Sequence, residues 1–528
     1  MSPLTLAQSL IAVAAVAATT LVGPSASASA GTHPPPSGVV RVDSGWLRGN
    51  VADDRTTYSS IPYAAPPVGE RRWQPPASPR SWSGVRDATT RSPYCPQDGP
   101  NGLAGQEDCL FLDVTVPRDV RPGERLPVLV WLHGGGLTSG GAREQDAARL
   151  ATSGRLMVVM VNYRLGALGF LSSPALDAGG GGNYGLMDQT AALRWVRRNA
   201  AQFGGDSRNV TLAGESGGAR AVCAQLASPS SRGLFHRAIS QSGACDNRVP
   251  TLAEARAFGA RATEDLGCAT AADVAACLRE VTPTRLVGAL QGVGMQLNRR
   301  VRDRPWNPTA GTWVLPQQPA DALRNGSAAR VPLLVGGTRD EMRAFVWSEA
   351  AMTAEKYGTM MTETFGDKAG AVLARYPVAD YDSPALALAT VLSDWGGSIG
   401  VCPVLRTAQA ATARQPVYAY EFAEDSGQFR NGFPMGSYHG LGQPYLWDLD
   451  LLWENPYPEL TAEQERLSAT IVDYVSAFAR TGNPNGPSRP DWPKFGSAGT
   501  VIELSTSGIA PTPSAANHHC GFWAGLPS

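Results

Sequence analysis

Continuous apolar runs, rather than alternating ones, mark the first half of this chain. Pro127-Val128-Leu129-Val130-Trp131-Leu132 is one such run, ending in glycines, and Leu156 to Val161 is another. Runs of this kind suit strands buried on both faces. Elsewhere the spacing becomes helical. From Thr190 to Phe203 the apolar positions Ala191, Leu193, Trp195, Val196 and Phe203 are separated by Arg194, Arg197 and Arg198, and the stretch stops at Gly204-Gly205. Asn209 to Ala213 predicts the next strand and Ala219 to Ala227 the next helix. Shorter β-like runs come first, at Gly38 to Val42 and Leu110 to Val114. The second half continues with strands over Val331 to Val335 and Val417 to Phe422 and a helix over Glu463 to Arg480. Strand and helix alternate, which predicts an α/β fold: a central, mostly parallel sheet with helices on both faces and long insertions.

The ends and the cysteines add a compartment. Leu10 to Val22 is apolar, and small residues come next as Ala26-Ser27-Ala28 and Ala28-Ser29-Ala30. Residues 1–30 therefore read as a secretory signal peptide cleaved near residues 28–30, although no Lys or Arg precedes the apolar stretch. Residues 31–38 read as a flexible, Pro-rich N-terminus. No repeat or low-complexity linker interrupts the rest of the chain, so 39–528 is expected to be one catalytic domain. The leader is too short to span a bilayer, and no later stretch is long and apolar enough. Eight cysteines suit an oxidising compartment. Their spacing lets Cys95 close a loop with Cys109, Cys268 another with Cys277, and Cys402 reach Cys520. Cys223 and Cys245 are left as a fourth bridge or as two buried thiols.

Charge removes some functions. Lys plus Arg number 45 against 46 for Asp plus Glu, with no block of like charge, so neither nucleic acid nor an anionic membrane surface is an expected partner. The expected partner is a small, roughly neutral molecule, and a monomer is the expected state. None of the cysteines forms a C-x-x-C pair, and no metal or organic cofactor is implied.

The candidate chemistry is nucleophilic. Gly214-Glu215-Ser216-Gly217-Gly218 satisfies G-x-S-x-G, but among 58 glycines the pattern is weak, and Gly396-Gly397-Ser398-Ile399-Gly400 repeats it. Context separates the two. Ser216 stands between a strand and a helix, where a sharp turn lifts the hydroxyl clear of the sheet and glycines avoid clashes. Ser398 follows a helix-like stretch, Leu386 to Trp395. His133-Gly134-Gly135-Gly136 follows a central strand, and its backbone can approach an oxyanion closely, so Gly135 and Gly136 join the Gly217 N–H as expected donors.

Six histidines permit elimination. His33 lies in the Pro-rich start, His133 in the glycine loop and His236 in a packed or surface stretch. His518 and His519 lack further metal ligands at suitable spacing and read as surface residues. His439, on the turn Gly436-Ser437-Tyr438-His439-Gly440, is the expected base. Its orienting carboxylate follows the strand at Val331 to Val335 through Gly336-Gly337. There, spacing leaves Asp340 and Glu341 as alternatives. The chain order serine, acid, histidine suits this class of hydrolase.

These residues resemble the type-B carboxylesterase and cholinesterase family on the α/β-hydrolase fold, over nearly the whole mature chain. Glu107-Asp108-Cys109-Leu110-Phe111-Leu112, the His133 glycine loop, Asn183-Tyr184-Gly185-Leu186-Met187-Asp188-Gln189, and Phe203-Gly204-Gly205-Asp206 leading into Gly214-Glu215-Ser216 occur in family order. The resemblance implies Glu341 as the acid, Glu215 and Ser242 as supporting groups around the triad, and the three loop disulfides Cys95–Cys109, Cys268–Cys277 and Cys402–Cys520. It implies hydrolysis of small to medium neutral carboxylic esters, with lipase, amidase and lactonase as neighbouring activities. Four positions depart from the pattern: Met342 for glycine, Gly217 for alanine, Leu137 for an aromatic, and Gly442 for a glutamate near Glu215. Cholinesterases carry a tryptophan between the first two cysteines to hold a quaternary ammonium. Pro96 to Asp108 has no aromatic residue, which argues against choline esters. Adhesion relatives resembling neuroligins usually lack the nucleophile, whereas Ser216, Glu341 and His439 are all present here. Since His439 must be neutral to act as base, activity is expected to fall below about pH 6.5.

Overall fold

The computed structural model describes residues 38–526 apart from 122, 177–179, 291–303, 397–398, 453–456 and 488. The expected leader, His33 and the competing Ser398 lie outside the described residues. The strands of the main sheet are β1 (Val39–Val42), β2 (Gly45–Val51), β3 (Arg55–Pro62), β4 (Val85–Ala88), β5 (Phe111–Pro117), β6 (Leu126–Leu132) and β7 (Met157–Val161), followed by β8 (Gly205–Glu215), β9 (Arg237–Gln241), β10 (Leu333–Thr338), β11 (Val417–Phe422), β12 (Val501–Ser505) and β13 (Gly508–Thr512). They form one sheet in the order β1-β2-β3-β5-β7-β6-β8-β9-β10-β11-β12-β13, with β4 beside β2. From β7 to β12 every neighbouring pair is parallel. Antiparallel strands extend both ends.

The apolar runs are strands because both of their faces are covered. In β6, Val128, Val130 and Leu132 enter one core and Leu129 and Trp131 the other. In β7, Val159 and Val161 alternate likewise with Val158 and Met160. The two cores lie on opposite faces of one sheet, so period-two geometry fills both layers from a sequence with no polar alternation. The helix expected from Thr190 starts earlier, at Tyr184, and runs to Asn199 before a short 3-10 turn closes on left-handed Gly204. Its first turns carry Asp188 and Gln189 fully inside, so no polar face marks its start.

The family-type segments mostly hold loops. Asp188 accepts from Arg164 Nε and Nη2 at 2.7 Å each, wholly buried. Glu107 accepts from Arg72 Nε at 2.8 Å and Nη2 at 2.5 Å. Asn183 Nδ2 donates to the Thr309 carbonyl at 2.9 Å, pinning a segment 126 residues away. Cys95–Cys109, Cys268–Cys277 and Cys402–Cys520 are bridged, and Cys223 pairs with Cys245. That fourth bridge ties the helix Gly217–Ala227 to the segment after β9.

One expectation fails. His518 is not a surface residue: it is buried, with Nδ1 2.5 Å from Asp394 Oδ1 and Nε2 2.9 Å from Glu421 Oε2. Tyr376 and Ser514 donate to the same two carboxylates. Burial disfavours its charge, but the flanking acids outweigh this and push its pKa up to about 10. Its partners lie 124 and 97 residues away in sequence, where spacing carries no signal. His519, beside it, is only partly buried.

Candidate active site

The glycine loop after β6, Ser216 after β8, Ser242 after β9, Glu341 after β10 and His439 beyond β11 all follow the carboxyl ends of the parallel strands. In a sheet of this type the crevice beyond those ends is where ligands bind.

Ser216 occupies a sharp turn, φ 54° and ψ −115°, between β8 and the helix Gly217–Ala227. That conformation is costly for a residue with a Cβ and persists only where its surroundings enforce it. The Ser216 N–H donates to the Gln241 carbonyl at 2.9 Å, and its own carbonyl accepts from Arg220 N–H at 3.0 Å. A Cβ at Gly218 would lie 1.9 Å from the Leu132 carbonyl oxygen, so only glycine fits the elbow against β6. As the residue before the first helical turn, Ser216 also lies at the positive end of the helix dipole.

The glycine loop bends over this elbow. Gly135 and Gly136 have φ of 89° and 66°, and Leu137 is left-handed at 72° despite its side chain. The Gly136 nitrogen lies 2.9 Å from where a Cβ on Gly217 would stand. The loop and the helix N-terminus are thus close enough to direct several N–H groups at one oxygen. His133 takes no part as a base: it stacks on Tyr163, and burial pushes its pKa down to about 4.

His439 faces two carboxylates. Its Nδ1 donates to Glu341 Oε2 at 2.5 Å, and Glu341, wholly buried, is fixed by the Thr338 N–H on Oε1 at 2.8 Å. Asp340 turns the other way, accepting from Ser437 N–H at 3.0 Å and pairing with Arg343. The ambiguity left by sequence spacing is therefore one of direction: Glu341 holds the imidazole, and Asp340 holds the loop that carries it. Phe345 packs on the histidine ring at 5.4 Å.

The Nε2 of His439 lies 3.2 Å from Glu215 Oε1, without hydrogen-bond alignment, and that oxygen has no other partner. No hydrogen bond joins Nε2 to the Ser216 hydroxyl among the described residues, although Ser216 and His439 line one cavity. Burial lowers the His439 pKa, but Glu215 and Glu341 outweigh it and push it up to about 9. Glu215 is pushed up to about 7, by burial first and then by the charge of Glu341, against the pull of His439. Nε2 thus lies beside a buried carboxylate whose charge favours the imidazolium.

Ser242, left-handed at φ 51°, lies behind this group and with Glu215 and Gly442 lines a small cavity of about 40 Å³. A Cβ on Gly442 would touch only Phe422, at 3.9 Å. The fourth departure thus leaves room beside Glu215 where a side chain would fit. The main cavity, about 1140 Å³, is lined by Gly135, Gly136, Ser216 and His439 together with apolar Leu168 and Trp306. Arg220 and Arg304 also line it, and no motif drew attention to them. A charged residue within the apolar stretch Gly217–Ala227 was a readable signal for the first.

The profile described as "Carboxylesterase family" matches residues 36–523. The fumonisin B1 esterase of Sphingopyxis macrogoltabida is 35% identical over 524 residues, covering 95% of this chain and 94% of that protein. The para-nitrobenzyl esterase of Bacillus subtilis (strain 168) is 33% identical over 473 residues, 87% and 92% of the two chains. A solved PNB esterase structure superposes with a TM-score of 0.78 at 30% identity, covering 92% of this chain and 99% of that one. With the α/β-hydrolase sheet, its helices and its strand-end turns in place, the chain belongs to the carboxylesterase family and is a carboxylic-ester hydrolase of that family.

Proposed function

We propose that the protein hydrolyses small to medium carboxylic esters through Ser216, His439 and Glu341. The observation that carries this reading is the strained elbow at Ser216, which opens into the same cavity as a histidine held by a buried glutamate. In the first step neutral His439, with its proton on Nδ1 toward Glu341, takes the Ser216 proton at Nε2 as Oγ bonds to the ester carbonyl carbon. The carbonyl oxygen becomes an oxyanion, bound by the N–H groups of Gly135, Gly136 and Gly217. His439 then returns its proton to the leaving alkoxide, the C–O bond breaks, and an acyl-serine remains. Water, deprotonated by His439, repeats the sequence and releases the acid.

Glu341 fixes the tautomer and offsets the imidazolium charge. Glu215 beside Nε2, and Ser242, which lines a small cavity with Glu215, act as supporting groups around the triad. The relatives' names cover chemically different esters, so similarity supports ester hydrolysis without selecting among them. We further read residues 1–30 as a signal peptide, 31–38 as a flexible N-terminus and 39–528 as one secreted catalytic domain. Four disulfides support that compartment, and no helix of the described residues is long and apolar enough to cross a membrane.

The test is kinetic. Ser216→Ala should lower kcat on p-nitrophenyl butyrate by several powers of ten, while Ser398→Ala leaves it nearly unchanged. The reverse result would sink the assignment.

A further inference from the structure

Three arginines are buried among the described residues: Arg72, Arg164 and Arg220. The first two each grip a carboxylate with two nitrogens, on Glu107 and Asp188. Arg220, 5% exposed, does not. Its Nη1 donates to the amide oxygen of Asn307 at 2.7 Å, and it forms no ion pair among the described residues. It stands on the first turn of the helix after Ser216 and lines the main cavity.

Arg304 lines the same cavity, and its buried Nε–H has no partner. No described carboxylate pairs with it either. The two guanidiniums are near enough to oppose each other's charge: Arg220 is pushed down to about 9, by burial first and by Arg304 second.

The described acids around the cavity do not neutralise them. Glu215 faces His439, and Glu349 pairs with Lys356. Asp98 and Glu363 are exposed. Burying a guanidinium without a counter-charge is costly, and the chain avoids that cost at Arg72 and Arg164. A planar donor fork is also the group best matched to a carboxylate, which it binds through two parallel hydrogen bonds.

We propose that Arg220 and Arg304 form an anion subsite, so that the esters preferred by the enzyme carry a free carboxylate in addition to the ester group. The proposal rests on Ser216 as the nucleophile, since it is the serine's cavity that the arginines line. It also revises the expectation of a neutral substrate. That expectation came from the balance of 45 basic against 46 acidic residues over the whole chain, which does not constrain two charges on one wall.

The experiment compares matched esters on the full chain: p-nitrophenyl hydrogen glutarate against the p-nitrophenyl ester of glutaric monoamide, which has the same shape and no charge. Wild type should prefer the charged ester in kcat/KM by about 10- to 100-fold, the range of a charge-assisted hydrogen bond taken out of water. Arg220→Met and Arg304→Met should each bring that ratio toward one. The ratio cancels any change in His439 ionisation, because both esters meet the same imidazole.

Free glutarate should compete with p-nitrophenyl pentanoate on wild type, whereas glutaramide should not, a readout that needs no variant to fold. Carboxymethyl butyrate against its amide places the charge on the alcohol half. A preference seen there alone assigns the subsite to the leaving group and still supports it. Equal rates for every charged and neutral pair, with no inhibition by glutarate, would overturn the subsite and leave the serine reading intact. Failure of wild type to hydrolyse any of these esters would sink the serine reading itself.

Discussion

Glu215→Gln removes one charge from the site while keeping the shape of the side chain, and it should move the acid limb of the pH–rate profile downward. Glu215 Oε1 lies 3.2 Å from His439 Nε2, and Glu341 Oε2 lies 2.5 Å from Nδ1. At an effective dielectric of about 20, a unit pair at that first distance is worth about 5 kcal/mol, opposed by the burial of both groups. What survives is the rise of the His439 pKa from 6.5 to about 9, equivalent to about 3 kcal/mol and divided between the two carboxylates. The charge of Glu215 is the largest single influence raising it, ahead of the charge and then the hydrogen bond of Glu341. Its neutralisation should therefore lower the limb by at least about one unit. The assay is kcat/KM for p-nitrophenyl butyrate across about pH 5 to 10, which reports the ionisation of the free enzyme. A limb that stays in place or rises in Glu215→Gln would refute the electrostatic account.

Stability gives a second readout of the same pair. Both folded-state pKa values are raised, to about 7 for Glu215 and about 9 for His439, so the folded state binds more protons than the unfolded one. The pair's contribution is complete below the unfolded values and is lost as pH rises through the folded ones. Glu215→Gln should flatten that decline.

Glu341→Gln should reduce kcat by about three to four powers of ten, since the amide no longer enforces the reactive tautomer, whereas Asp340→Asn weakens only a loop contact and should cost far less. Equal losses in kcat would remove the distinction. Replacing both Cys223 and Cys245 by alanine opens a 22-residue loop and should lower the free energy of unfolding by about 3 kcal/mol, read by denaturant titration. His518→Gln leaves Asp394 and Glu421 buried without their shared counter-ion and should destabilise by about 3–5 kcal/mol in the same titration, against less than about 1 kcal/mol for His519→Ala.

What the sequence makes legible here depends on the range over which each interaction acts. The segment Val417 to Phe422 matches its strand end to end, and the run ending at Leu132 lies within β6, because burial on both faces writes itself into consecutive residues. The elbow at Ser216 was legible for a similar reason: strand, glycine turn and helix are neighbours in the chain. The start of the helix at Tyr184 was not, because its first turns bury polar side chains against distant loops. Spacing also gave no direction for Asp340 and Glu341, which differ only in where the turn after β10 points them. His518, the contact of Glu215 with His439, and the cavity face of Arg220 all depend on groups far away in sequence. The first two pair charges across the fold and the third hydrogen-bonds Asn307, and none of these contacts leaves a periodic trace.

The central claim is that Ser216 forms a covalent acyl-enzyme, and active-site labelling tests it most directly. Treatment of the full chain with a fluorophosphonate ester, followed by peptide mass mapping, should give one phosphonyl adduct per molecule, on the peptide containing Ser216. The adduct should appear at the rate at which activity disappears and be absent from Ser216→Ala. An adduct on Ser398, or full activity after Ser216 has been labelled, would contradict the account.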